Sequence, residues 1–297
     1  MDNNVKSLKQ TERRDDFIIK DRKSGASYYG GDQNWYRSNT MAYAGCGSVA
    51  AANMLRALLR KNPQILKKDN VGEGIKAIVS EECYKDDFAE FMGSIYKSMF
   101  IFEFPVIRRI YDHGKRGKKP LKILPPSFGM SINGFIRGTL KYSLKQGISL
   151  HAHSLPTAFC GYEKGLEFIK EGLRESGSVV LLTSLNRHPL KLYYGKSGEL
   201  EKGNNSKKGI RSHFMTITGI VEEDEGDILI KFTTWGRVAT VSYNELNRSW
   251  QSIKAYTSCL YYFTPAESEA VVRADMRKSF GVLCKAVFKG LFGWAMR

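Results

Sequence analysis

A chain of 297 residues with 42% hydrophobic and 12% aromatic content carries enough apolar material for one large core or two small ones, which excludes a disordered or fibrous protein. Its 46 Lys+Arg against 30 Asp+Glu give a formal charge of +16, an excess that draws a protein toward anionic surfaces. The basic residues fall in separate clusters: the opening MDNNVKSLKQTERRDD, the run Lys115-Arg116-Gly117-Lys118-Lys119, and the loop with Lys202, Lys207 and Lys208. No single stripe interleaves them with aromatics, so they read as solvated loops, and no specific nucleic-acid partner is expected. Five cysteines without CxxC spacing or accompanying histidine pairs argue against a disulfide framework and against a metal site, and point to a reducing compartment. With no apolar leader and no run near the roughly 18 residues a spanning helix needs, the expectation is a cytoplasmic protein.

Taken in chain order, residues 1–27 are charged and aperiodic and read as a flexible basic arm, with the fold beginning near Tyr28-Tyr29-Gly30-Gly31. Gly45-Cys46-Gly47 then opens a helix of small and apolar residues that Asn62-Pro63 should stop. A second helical region is predicted from Asp86 to Phe104, where Pro105 interrupts it, with the apolar FMGSIYKSMFIFEF packing into the core. Ser131 caps a helix through Lys145-Gln146 that Gly147 ends, and Ile148 to His153 alternates as a short strand. A helix from Tyr162 to Ser176 closes at Gly177, followed by the buried-strand run Val179-Val180-Leu181-Leu182. The remainder is strand-rich: His213 to Val221, Ile228 to Trp235, Arg237 to Tyr243 and Tyr256 to Phe263, with a short helix starting at Asn244. Helices in front and sheet behind make the fold class α+β. Thr264-Pro265-Ala266-Glu267 reads as the cap of a last helix, in which Met276, Phe280, Leu283, Val287, Leu291 and Trp294 recur at three- and four-residue steps beside Arg277, Lys278, Lys285, Lys289 and Arg297.

The chemistry centres on Cys46. A free thiol is mostly protonated at neutral pH, and a seat at a helix start, with unpaired N–H groups and the positive dipole end, favours the thiolate nucleophile. Flanking glycines remove bulk and let a substrate or another backbone approach. Acyl transfer to sulfur needs a base and donors for the developing oxyanion. Among the histidines, His113 and His188 sit in loops and His151 and His153 share one side of a strand, whereas His213 opens a strand of the sheet half and can reach a helix-borne thiol. Gln33 carries an amide that can join the Cys46 N–H as an oxyanion donor, with Asn39 as the rival donor. Cys160, which precedes Gly161 and a predicted helix, is the rival nucleophile, while Cys83, Cys259 and Cys284 lie in apolar surroundings and read as structural.

Glutamine, then Gly-Cys-Gly opening a helix, then Ser-His-Phe starting a strand, then Thr-Trp-Gly ending the next strand resembles a papain-like cysteine peptidase, in the bacterial branch that resembles bacteriocin leader peptidases. The likeness spans residues 28–264 and includes the Leu173-to-Leu182 helix–strand stretch. It implies a helical half carrying the nucleophile packed on an antiparallel sheet half. It also implies Cys46 as nucleophile, His213 as base, Gln33 in the oxyanion hole and no cofactor. The family sets Asn or Asp before Trp-Gly to orient the histidine; here Thr233 occupies that position, and its hydroxyl lacks the charge that stabilises imidazolium. The spacing from Gln33 to Cys46 is also wider than in papain.

The resulting expectation is a thiol hydrolase that cleaves peptide or amide bonds in a peptide or protein substrate through an acyl-enzyme on Cys46, working either as a Cys-His dyad with Thr233 support or as a weakened relative. Acyl transfer to an amine is the variant of the same chemistry. The alternative is a non-catalytic papain-like binding module recruited to an anionic surface or partner. The basic amphipathic stretch at 265–297 is expected either to fold back onto its own domain or to dock on a partner or attach reversibly and peripherally to anionic membranes.

Overall fold

The computed structural model of the chain describes residues 14–67, 71–113, 127–183, 190–194, 210, 212–222, 227–251 and 258–278. In chain order its elements are β1 (Ile18–Lys20), β2 (Ser27–Tyr29), α1 (Asn39–Ala44), α2 (Cys46–Lys61), α3 (Glu73–Val79), α4 (Lys85–Ser98), β3 (Ile101–Glu103), α5 (Pro105–His113), β4 (Ser127–Met130) and α6 (Ile132–Lys145). There follow β5 (Leu150–Pro156), α7 (Tyr162–Ser176), β6 (Val179–Thr183), β7 (Tyr193–Tyr194), β8 (His213–Glu222), β9 (Ile228–Thr234), β10 (Arg237–Ser242), α8 (Tyr243–Trp250) and β11 (Cys259–Pro265). A final helix, α9, occupies 269–278. The architecture is α+β: β1 pairs with β2, β3 with β4, and the other seven strands form one antiparallel sheet in the order β5-β11-β6-β8-β9-β10-β7.

That sheet is covered on both faces, which explains why its central strands read as unbroken apolar runs rather than as alternation. Val180 and Leu182 of β6, Phe214 of β8 and Tyr261 and Phe263 of β11 join the core built on α2, α4 and α6. The intervening Val179, Leu181, Met215, Ile217, Leu260 and Tyr262 face a second core closed by α7 and α8, with Ile169 and Trp250 fully buried there. Helix α2 is the axle of the first core: every residue from Gly47 to Leu59 is buried, a consequence of its run of Ala and Leu.

Several elements differ from the sequence reading. The fold takes in more of the N-terminus than the predicted arm leaves it. Arg14–Phe17 form a 3₁₀ turn, Ile18–Lys20 pair with Ser27–Tyr29, and Phe17 and Ile19 are buried. The charged Asp16 is anchored as well, with Arg60 Nε 2.6 Å from its carboxylate and the buried Arg56 guanidinium on its carbonyl. Pro105 starts α5 instead of breaking a helix, because a first-turn proline sacrifices no helical hydrogen bond, and the stretch before it forms β3. Thr264 does not cap a helix: β11 runs through to Pro265, the Thr264 hydroxyl lies 3.0 Å from His153 Nε2, and α9 begins four residues beyond Pro265.

The first turns of α9 rest on the domain, with Val272 fully buried and Asp275 accepting the Ala152 N–H at 2.9 Å. The runs at Lys115–Lys119 and Lys202–Lys208, His188, Cys284 and the amphipathic stretch beyond Lys278 lie outside the described residues. No helix among the described residues is long and apolar enough to cross a membrane.

Candidate active site

Cys46 is the first residue of α2, Gly45 before it offers no side-chain cap, and the N–H groups of Cys46 and Gly47 face the sulfur. The glycines are there for closeness. A Cβ at Gly45 would run into the Met41 carbonyl and the Tyr36 ring, and one at Gly47 would press on Met130. Ser48 closes this turn underneath, donating to the Gly45 carbonyl at 2.8 Å and meeting Tyr36 Oη at 2.6 Å. Cys46 is half-buried. Burial pushes its thiol pKa up, while the backbone N–H groups of Phe214, Gly47 and Cys46 itself pull in the opposite direction.

His213 begins β8, fixed by a two-way contact with the hydroxyl of Thr183 on β6, which accepts the His213 N–H at 3.1 Å. Its imidazole is buried and lies flat on the Trp235 indole, ring centroids 4.3 Å apart and planes 13° off parallel. Nε2 sits 2.9 Å from Thr234 Oγ1. Burial lowers the pKa of His213 to about 4. Among the described residues no charged group stands beside it to favour imidazolium, and burial favours the neutral ring. No hydrogen bond joins it to the Cys46 sulfur.

The hydroxyl holding the imidazole is therefore that of Thr234, and the Thr233 assignment is corrected. Neighbouring side chains of a strand project to opposite faces, so only one of two consecutive threonines can reach His213. Thr233 Oγ1 instead donates to the Tyr29 carbonyl. The choice is set by the β9–β10 turn. Thr234 pairs with Arg237 across a two-residue loop of Trp235 and Gly236, both at positive φ (49° and 68°), as a type I′ hairpin requires. A tryptophan at φ 49° is an outlier, and here it places the indole over the histidine.

Gln33 opens a short 3₁₀ turn, Gln33–Trp35, whose cap Asp32 accepts the Asn34 N–H at 2.8 Å. Gln33, Cys46, His213, Thr233, Thr234 and Trp235 all line one narrow pocket. Four of its walls come from α2 alone, at Cys46, Val49, Ala50 and Asn53, positions spaced i, i+3, i+4 and i+7 on one helix face. The rivals lie elsewhere. Asn39 donates its amide to the Tyr111 carbonyl at 3.0 Å, and Cys160 is buried in the second core, its carbonyl accepting from Gln251 at 2.8 Å. Cys83 and Cys259 are also buried. His113 ends α5, and His151 and His153 stand together on β5.

Two residues escaped the sequence reading. Thr234 was hidden by adjacency to Thr233, and Asn53 by its polar type inside an apolar helix, although its i+7 spacing from Cys46 was the available signal. Among the described residues no group of three or more His, Cys, Asp or Glu side chains is arranged to hold a metal ion. No family model matches the chain, and no curated protein matches it.

Proposed function

We propose that the protein is a papain-like thiol hydrolase that cleaves peptide or amide bonds through an acyl-enzyme on Cys46, with His213 as the base. The observation that carries this reading is the convergence of a helix-start cysteine, a buried neutral imidazole and a side-chain amide on one pocket, from α2, β8 and the 3₁₀ turn before α1. The neutral pair defines the chemistry. With the thiol pKa raised and the imidazole lowered, attack begins from thiol and imidazole, not from a preformed ion pair. His213 takes the thiol proton as sulfur bonds to the carbonyl carbon. The oxyanion is met by the N–H groups of the α2 first turn and the Gln33 amide, and imidazolium returns its proton to the leaving amine as the C–N bond breaks. Water, deprotonated by His213, then releases the acyl group from sulfur.

The test is acylation of the full chain by p-nitrophenyl acetate, followed by mass analysis of the labelled cysteine. The expected result is acyl transfer to Cys46 that Cys46→Ala removes and His213→Ala slows strongly. Selective alkylation of Cys46 is not sufficient, since Cys83, Cys160 and Cys259 are buried and react slowly for that reason alone; dependence on His213 is the discriminating readout. One observation favours a second reading, a catalytically weakened binding module: Thr234 gives the imidazole a hydroxyl and no negative charge. Acylation of Cys46 at the same rate with and without His213 would establish that reading in place of the hydrolase.

A further inference from the structure

The segment that carries Gln33 is held from both halves of the fold at once. Gly31 N donates to Asn53 Oδ1 on α2 at 2.9 Å, two turns along the helix face from Cys46. From the sheet side, Thr233 Oγ1 donates to the Tyr29 carbonyl, Gly236 donates its N–H to the Gly31 carbonyl at 3.1 Å, and Tyr29 donates to the Gly236 carbonyl at 2.9 Å. Between these anchors Gly30 adopts φ 76°, and a Cβ there would collide with the Thr233 hydroxyl and crowd both polar atoms of the Asn53 amide. Asn53 is 2% exposed, in a helix whose neighbouring buried positions are Ala, Met and Leu. A buried amide in such a setting is retained at a cost unless its hydrogen bond does something a packed methyl cannot.

We infer that Asn53 is a positioning residue: by accepting the Gly31 N–H it fixes the backbone leading into Gln33 and so sets the Gln33 amide against the oxyanion that forms at Cys46. This rests on the reading of Gln33 as an oxyanion donor. Asn53 ties the nucleophile's own helix to the strap just before Gln33, as the Tyr36–Ser48 contact ties it just after, so two clamps from α2 fix the separation of donor and sulfur despite the 12 residues between Gln33 and Cys46 in the chain.

Two reactions at the same sulfur separate this role from a merely structural one. In acylation by p-nitrophenyl acetate, sulfur bonds to the carbonyl carbon through an oxyanion and p-nitrophenolate leaves; in alkylation by iodoacetamide, sulfur displaces iodide at carbon and no oxyanion forms. Full-length Asn53→Ala is expected to slow acylation of Cys46 by roughly tenfold or more, the scale of a displaced oxyanion donor, with alkylation within about twofold of native. Asn53→Asp, which keeps the acceptor, is expected to keep the ratio of the two rates near native even where its charge lowers both. The double variant Gln33→Ala/Asn53→Ala is expected to be no slower than Gln33→Ala alone.

The inference is overturned if Asn53→Ala leaves both rates unchanged, slows both together, or multiplies with Gln33→Ala. Asn53→Leu, which fills the volume without the acceptor, is judged by the same ratio if the alanine variant does not fold. Native acylation by Gln33→Ala removes the donor reading and this inference together, whereas slow Gln33→Ala beside native Asn53→Ala removes this inference alone.

Discussion

Two strands of the same sheet present histidines in opposite settings. On the edge strand β5, His151 Nδ1 lies 2.6 Å from the carboxylate of Asp275, which also accepts the Ala152 N–H and so seats α9 against the sheet. On the central strand β8, His213 meets a hydroxyl and an indole. The chain thus possesses a histidine–carboxylate pair that docks a helix, while the imidazole in the pocket has no carboxylate beside it among the described residues. The difference separates two jobs of the same side chain. The carboxylate ties its histidine to a helix, whereas burial holds the His213 ring in the neutral form that a proton acceptor requires.

The largest expected effect distinguishes the two sites by chemistry. His213→Ala should slow acylation of Cys46 by p-nitrophenyl acetate by about 10² to 10⁴, the usual worth of a positioned base, while Asp275→Ala leaves it within about twofold. An equal loss in both variants would break the comparison. Next comes pH. Because His213 titrates near 4 when folded and near the ordinary 6.5 when unfolded, its neutral form stabilises the fold fully above pH 6.5. That contribution, about 3 kcal/mol, is lost as pH falls from 6.5 to 4 and changes no further below. Urea unfolding across this range should therefore show a steeper acid loss for the native chain than for His213→Phe. In the same experiment at neutral pH, Asp275→Ala should cost about 2 kcal/mol, the scale of a buried hydrogen bond to a charged group. The smallest effect sharpens the assignment inside the pocket. Thr234→Val should cost about 1 kcal/mol at the barrier, roughly fivefold in acylation rate, by freeing the imidazole to turn.

What was legible in the sequence follows the reach of the interactions. Cys46, its glycines and the strand start at His213 are local patterns, and the structure brings them with Gln33 to one pocket because sheet order carries β8 onto α2. Thr233 and Thr234 could not be ranked from sequence, since the choice depends on the phase of β9, which is set by the Trp235–Gly236 hairpin and by a register shift between Ile217 and Gly219. The anchoring of residues 14–20 was masked by their charges, although Phe17-Ile18-Ile19 was an apolar cue. Asn53 acts on a backbone 22 residues away, and no local pattern records such a partner.

The left-handed backbone of Trp235 has an energetic corollary. Glycine would fit that hairpin tip with less torsional penalty, yet it would give up the indole's packing on the second core and leave the imidazole uncovered to water. The backbone strain at this position is therefore outweighed by the surface the side chain covers.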